Sequence, residues 1–134
     1  MDEEQALRRT AGVRLSLEGR ALSGVLRLKC PALSLETVDV TPLDLGYRRI
    51  RPGRRSVGEL DVTALLRPAD PGQAALIAGY AQSALLRVTL TLPAGPAITY
   101  RAFVRQLRLG AERPGAPALL AAQLQAADDA EVSP

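Results

Sequence analysis

Five arginines crowd into eight residues, Arg48, Arg49, Arg51, Arg54 and Arg55, with Tyr47 directly before them. A guanidinium offers a planar fork of donors that pairs with carboxylates or phosphates, so the cluster suits two chemistries. It could neutralise a nucleic-acid backbone while Tyr47 stacks on a base. It could equally join subunits, because the chain carries acids near both ends: Asp2, Glu3 and Glu4, then Asp128, Asp129 and Glu131. Opposite charges on different surfaces favour head-to-tail contacts, which repeat into rings or filaments. A plain solvated loop is the third reading, since charge runs commonly face water.

Catalytic chemistry has little to work with. The chain has no histidine, which removes the commonest general base and metal ligand, and Cys30 is the only cysteine, so no disulfide within the chain is possible. There is no glycine-rich phosphate loop followed by Lys-Ser or Lys-Thr. Asp39, Asp44, Glu59 and Asp61 are carboxylates close in sequence, and paired carboxylates can exchange protons. Strand alternation, however, puts Asp39 beside Thr37, and Asp61 beside Glu59 and Thr63, as on a solvated or inter-subunit surface. The expectation is a non-enzymatic protein without metal or cofactor. Cys30, among apolar residues just before Pro31, reads as a small buried hydrophobe and not as a nucleophile.

The elements that must position these groups are mainly β. With 134 residues the chain fits one domain. Its apolar fraction of 47% is built from Leu, Ala and Val with only Phe103, Tyr47, Tyr80 and Tyr100 as aromatics, a composition compatible with an obligate oligomer. Of the 17 basic residues all but Lys29 are arginine. That bias fits interfaces, and it also fits a GC-rich genome. The charged segment from Met1 to Arg9 has no apolar core of a secretory signal, and no run approaches the roughly 18 apolar residues of a membrane span. Synthesis in a cytoplasm and no membrane contact are expected.

Residues 1–12 show no period and read as an arm, 13–127 as the β domain, and 128–134 as an acidic tail. Val13, Leu15 and Leu17 alternate with Arg14, Ser16 and Glu18, as a half-buried strand requires. A second strand is expected over Gly24 to Cys30, with Leu26, Leu28 and Cys30 on the apolar face. Leu33 to Thr41, rich in β-branched residues, should be a third. The segment Leu43 to Arg55 holds the arginines and a Pro52-Gly53 turn signal, and is expected as an exposed loop or projecting hairpin. Ser56 to Arg67 alternates again, and Pro68 ends it. Asp70-Pro-Gly-Gln73 reads as a capping box starting a helix to about Ser83, too apolar to be a free surface helix. Leu85 to Leu92 and Ala97 to Leu109 form the clearest hairpin, with Arg101 and Arg105 sharing a face with Phe103 and Leu107. A last strand runs from Ala118 to Ala126. The fold class expected is an antiparallel β-sandwich or small barrel with one flanking α-helix.

The order Leu35-Glu-Thr-Val-Asp-Val-Thr41, an Arg-rich loop, Gly58-Glu-Leu-Asp-Val-Thr63, a helix near Gln73 to Ser83, and a hairpin whose second strand reads Ile98-Thr-Tyr-Arg-Ala-Phe-Val104 resembles the tail tube proteins of bacteriophages and phage-like particles. The resemblance spans about Val13 to Ala126. It implies subunits that close into hexameric rings by joining sheets edge to edge, rings that stack into a tube, and a lumen that holds a tape-measure protein and passes DNA, with other tail proteins at the tube ends. The chain would then be a virion tail component. Carried over by position, the loop Leu43 to Arg55 would hold successive rings together, with the N-terminal arm and acidic C-terminus as further contacts. A terminator or hub protein of the same fold is a neighbouring reading. A small nucleic-acid-binding barrel using residues 47–55 is the reading from another class.

Overall fold

The computed structural model describes residues 13–93 and 95–133. The strands are β1 (Arg14–Leu17), β2 (Arg20–Ala21), β3 (Val25–Lys29), β4 (Leu33–Asp39), β5 (Ile50–Val57) and β6 (Leu60–Leu65). Helix α1 (Pro71–Ala81) follows, then β7 (Leu86–Thr91), β8 (Ala97–Gly110), β9 (Leu119–Ala126) and β10 (Glu131–Ser133). An eight-stranded sheet runs in the order β2-β1-β7-β8-β9-β6-β3, with β10 also paired to β8; β4 and β5 form a separate two-stranded sheet. All pairings are antiparallel.

One face of the large sheet is apolar throughout. Leu15 and Leu17 of β1, Leu86, Val88 and Leu90 of β7, Tyr100, Ala102 and Val104 of β8, and Leu120 and Leu124 of β9 join Leu60 and Val62 of β6 in one buried cluster with Leu76 of the helix. An eleven-residue helix cannot cover eight strands, and α1 packs mainly on β1, β2 and β8, with Gly79 against Leu86 of β7. The sheet therefore curls over its own core, as in a sandwich, and does not close into a barrel, since β2 and β3 remain as ends of the strand order. This agrees with the fold class expected from the alternation.

Several boundaries differ from the sequence reading, each for a local reason. β3 carries a bulge at Leu26, so Val25 and Leu28 pack on the core in place of the expected Leu26, Leu28 and Cys30. Cys30 is exposed, not buried, although partial desolvation raises its thiol above the ordinary value. In β8, Arg105 is an extra residue between the pairs Val104–Leu124 and Gln106–Gln123. The phase flips there. Leu107 leaves the face of Arg101, Phe103 and Arg105 and packs on the core. The stretch Ser56 to Arg67 is two strands, broken where the Gly58 amide donates to the Ala32 carbonyl at 2.8 Å. The acidic tail is not free either: β10 pairs Glu131 to Ser133 with Ala97 to Thr99.

The helix start shows why it docks so closely. Asp70 is the N-cap and accepts from the Gln73 amide at 3.0 Å, while its other oxygen accepts from the Ser23 hydroxyl at 2.7 Å. Burial raises the Asp70 pKa, but hydrogen bonds from Ser23 and the Gln73 amide, with the Arg67 charge, more than offset this and hold it below the usual value. The expected return half of the capping box is not made. The Gln73 side chain turns inward, with none of it exposed, accepting from the Arg67 amide at 2.8 Å and donating to the Leu65 and Ser23 carbonyls at 2.8 and 3.1 Å. Gly72 lets the helix approach β2, since a Cβ there would lie 2.5 Å from the Ala21 carbonyl oxygen.

Tyr100, like Asp61 among the described residues, holds a buried polar atom without a partner. Its hydroxyl is buried without a hydrogen-bond partner, and burial, with a smaller effect of Cys30, pushes its pKa up to about 12. Tyr100→Phe removes a polar atom that is unpaired in the fold. Urea unfolding is expected to show the variant as stable as the parent or more stable by about 1 kcal/mol.

Candidate functional site

The arginine cluster lies on an arm. β4 and β5 pair with each other and with no strand of the main sheet. Every residue of β4, and β5 through Ser56, is exposed. An isolated two-stranded hairpin is marginal in water, so the arm needs something to lie against. Its side chains say the same: Leu35 is 54% exposed, Ile50 51% and Tyr47 63%, with Leu43 fully exposed at the tip. Leu33 and Val38 are exposed on β4 as well. A run of uncovered apolar residues interleaved with arginines has the composition that interaction surfaces share.

The hairpin turn is residues 40–49, not Pro52-Gly53. Pro52 and Gly53 sit inside β5, where Gly53 and Arg54 together oppose the single residue Glu36 as a bulge. Proline suits this place because the ladder is already interrupted. Glycine suits it because a Cβ would come within 2.9 Å of the Val38 side chain and 3.2 Å of the Glu36 carbonyl oxygen. The bulge twists the arm and shifts which arginines point together.

The tip is held by Asp39, expected only as a surface carboxylate, and by Thr41, expected only as the end of a strand. Asp39 Oδ1 accepts from the Thr41 hydroxyl at 2.5 Å and the Thr41 amide at 3.0 Å. Thr41 Oγ1 accepts from the Arg49 amide at 2.7 Å, the Val40 amide donates to the Arg49 carbonyl at 2.9 Å, and Arg48 Nε pairs with Asp39 Oδ2 at 3.2 Å. The spacing Asp-x-Thr, a side chain bonding the backbone two residues on, was the available signal. The Thr41 hydroxyl and amide, helped by Arg48, hold the Asp39 carboxyl below its ordinary 3.8. A lowered folded pKa means the tie is complete above 3.8 and is lost only as pH falls through the lower value. In an NMR titration the Thr41 and Arg49 amide signals are expected to hold steady down to about pH 4 and to move only in stronger acid. In Asp39→Asn they should not titrate.

The base of the arm rests on the C-terminal segment. Arg55 Nη2 lies 2.6 Å from Asp129 Oδ2. Leu33 and Leu35 line a shallow groove of about 150 Å³ with Ala130 and Val132. Asp128 pairs with Arg101. The predicted site residues are thus partly brought together within one chain: Arg55 with Asp129, while Arg48 takes Asp39. Arg49, Arg51 and Arg54 have no carboxylate in ion-pair range among the described residues. Glu131 sits on β10 opposite Thr99. Asp2, Glu3 and Glu4 lie outside the described residues. The exposed pairs contribute little stability, at most about 1 kcal/mol each, so they orient more than they hold.

Among the described residues no group of three or more His, Cys, Asp or Glu could hold a metal ion, and no helix is long and apolar enough to cross a membrane.

No protein-family model and no curated protein matches the chain in sequence. Solved structures do match in shape. A chain of the virion of a native gene transfer agent particle superposes with a TM-score of 0.73 at 15% identity, covering 92% of this chain and 96% of that one. A chain of the tail of an empty gene transfer agent particle, with C6 symmetry, gives 0.69 at 18% identity, covering 91% and 94%. The SPP1 tail tube gives 0.69 at 12% identity, covering 91% of this chain and 76% of that chain. The chain has the fold found in these tail and tail-tube structures.

Proposed function

We propose that the chain is a structural subunit of a phage-type tail tube, located in the virion tail or the tail of a phage-like particle. Its subunits assemble into rings of six, the rings stack, and DNA passes through the lumen, which a tape-measure protein occupies before release. The observation that carries this reading is the β4–β5 arm. Beyond its base on the C-terminal segment, it projects apolar and arginine side chains that no described residue covers, while the large sheet buries its apolar face. The fold likeness supports the reading, because the C6 tail and the tail tube are assemblies of repeated subunits sharing this architecture over nine-tenths of the chain. The joint would lie between Arg49, Arg51 and Arg54 of one subunit and acids of the next, with Leu35, Val38, Leu43, Tyr47 and Ile50 as the apolar part of the contact.

Sedimentation velocity and negative-stain microscopy of the purified protein over rising concentration test this. Rings and tubes of constant diameter are expected. A monomer at every concentration and salt level would remove the proposal.

A further inference from the structure

The arm is not the only basic surface. On the solvent side of the large sheet, the register sets Arg27, Thr63, Ala121 and Arg108 in one row across β3, β6, β9 and β8. Lys29, Asp61, Gln123 and Gln106 form the adjacent row. The bulge at Arg105 matters here, since it is what turns Gln106 and Arg108 to this side. The two rows line a groove of about 420 Å³.

We propose that this groove is a binding site for a nucleic-acid backbone. Arg27 and Arg108 stand three strand spacings apart, roughly 14 Å between backbones, over a low floor of Thr63 and Ala121. Among the described residues Arg27, Lys29 and Arg108 have no carboxylate in ion-pair range, so their mutual repulsion is relieved by an anion from outside. Gln123 Oε1 already accepts from Arg105 Nη2 at 3.0 Å, and Arg105 is further tied to Glu59 at 2.9 Å. That leaves the Gln123 amide hydrogens for the groove. Asp61 opposes Lys29 across the β3–β6 pair, and its Oδ1 is buried, turned away from a ligand in the groove. The floor has no large apolar anchor, which a protein partner would need and phosphate contacts do not. The site lies apart from the arm and goes beyond the tube reading.

The test is fluorescence anisotropy with a labelled duplex oligonucleotide and the full chain. Three phosphate contacts predict binding that weakens about 40-fold between 50 and 200 mM salt. In Arg27→Ala/Arg108→Ala, which changes only exposed residues, the same step should weaken binding only about 3-fold, and affinity at 50 mM should fall at least about 10-fold. Arg49→Ala/Arg51→Ala/Arg54→Ala should bind like the parent. No binding at 50 mM, an unaffected groove variant, or loss of binding in the arm variant would each overturn the site. So would a synthetic peptide of residues 1–12 that binds where the duplex does not, which would assign the groove to a second copy of the chain. Rings without oligonucleotide binding would remove this inference alone, and binding without rings would remove the tube alone.

Discussion

Reversing Arg49, Arg51 and Arg54 together to glutamate is expected to abolish assembly while leaving the subunit folded. These three arginines are exposed and have no carboxylate in ion-pair range among the described residues, so the fold loses nothing that they hold. Arg48 and Arg55, which tie the tip and the base of the arm, are left in place for that reason. Across a joint, each reversal replaces an attraction with a repulsion. At about 1 kcal/mol or more apiece the loss is roughly 3 kcal/mol per contact, on the order of a hundredfold in the concentration needed to assemble. Thermal unfolding should stay within about 0.5 kcal/mol of the parent. Assembly that survives at the parent's concentration would mean that the arm arginines are a solvated surface.

Gln73→Leu should be the most damaging single change to the fold. The side chain is fully buried and serves three backbone groups at once: the Arg67 amide and the Leu65 and Ser23 carbonyls. Leucine fills similar space but orphans all three. At 1–3 kcal/mol for each buried group left unpaired, the cost is about 3 kcal/mol or more. Urea unfolding should then shift to a midpoint roughly 2 M lower. Gln73→Glu is the informative companion, since it keeps the acceptor for Arg67 and loses the donors to two carbonyls. A shift of a few tenths of a molar for Gln73→Leu would show that the network is not structural.

Much of the fold was legible because alternation is a direct record of burial. Leu15 and Leu17, Leu86, Val88 and Leu90, and Leu60 and Val62 alternate with polar residues along their strands, which puts each set on one face, and they form the core. Period fails where a bulge inserts a residue. Arg105 and Leu26 each shift the phase, and nothing in their residue type announces it. Pro52-Gly53 misled in the opposite way: the pair usually turns a chain, yet here the turn belongs to Asp39 and Thr41, and the glycine serves close approach of two strands. Gln73 was placed correctly at the third helical position, but its partners lie in β6 and the turn before β3, which local sequence does not specify. The arm's arginines were visible as a cluster; what could not be read was that Arg48 and Arg55 are engaged within the chain. The pairing of β10 was hidden because three residues, Glu131, Val132 and Ser133, are too few to show a strand period.

In the assembled tube the arm of one subunit should be covered by its neighbours. A helical reconstruction by electron cryomicroscopy of the assembled protein measures this directly. Stacked rings are expected in which Leu35, Tyr47 and Ile50 are buried at the joint and Arg49, Arg51 and Arg54 meet carboxylates of the adjoining ring. Stacked rings whose arms remain in solvent would contradict it.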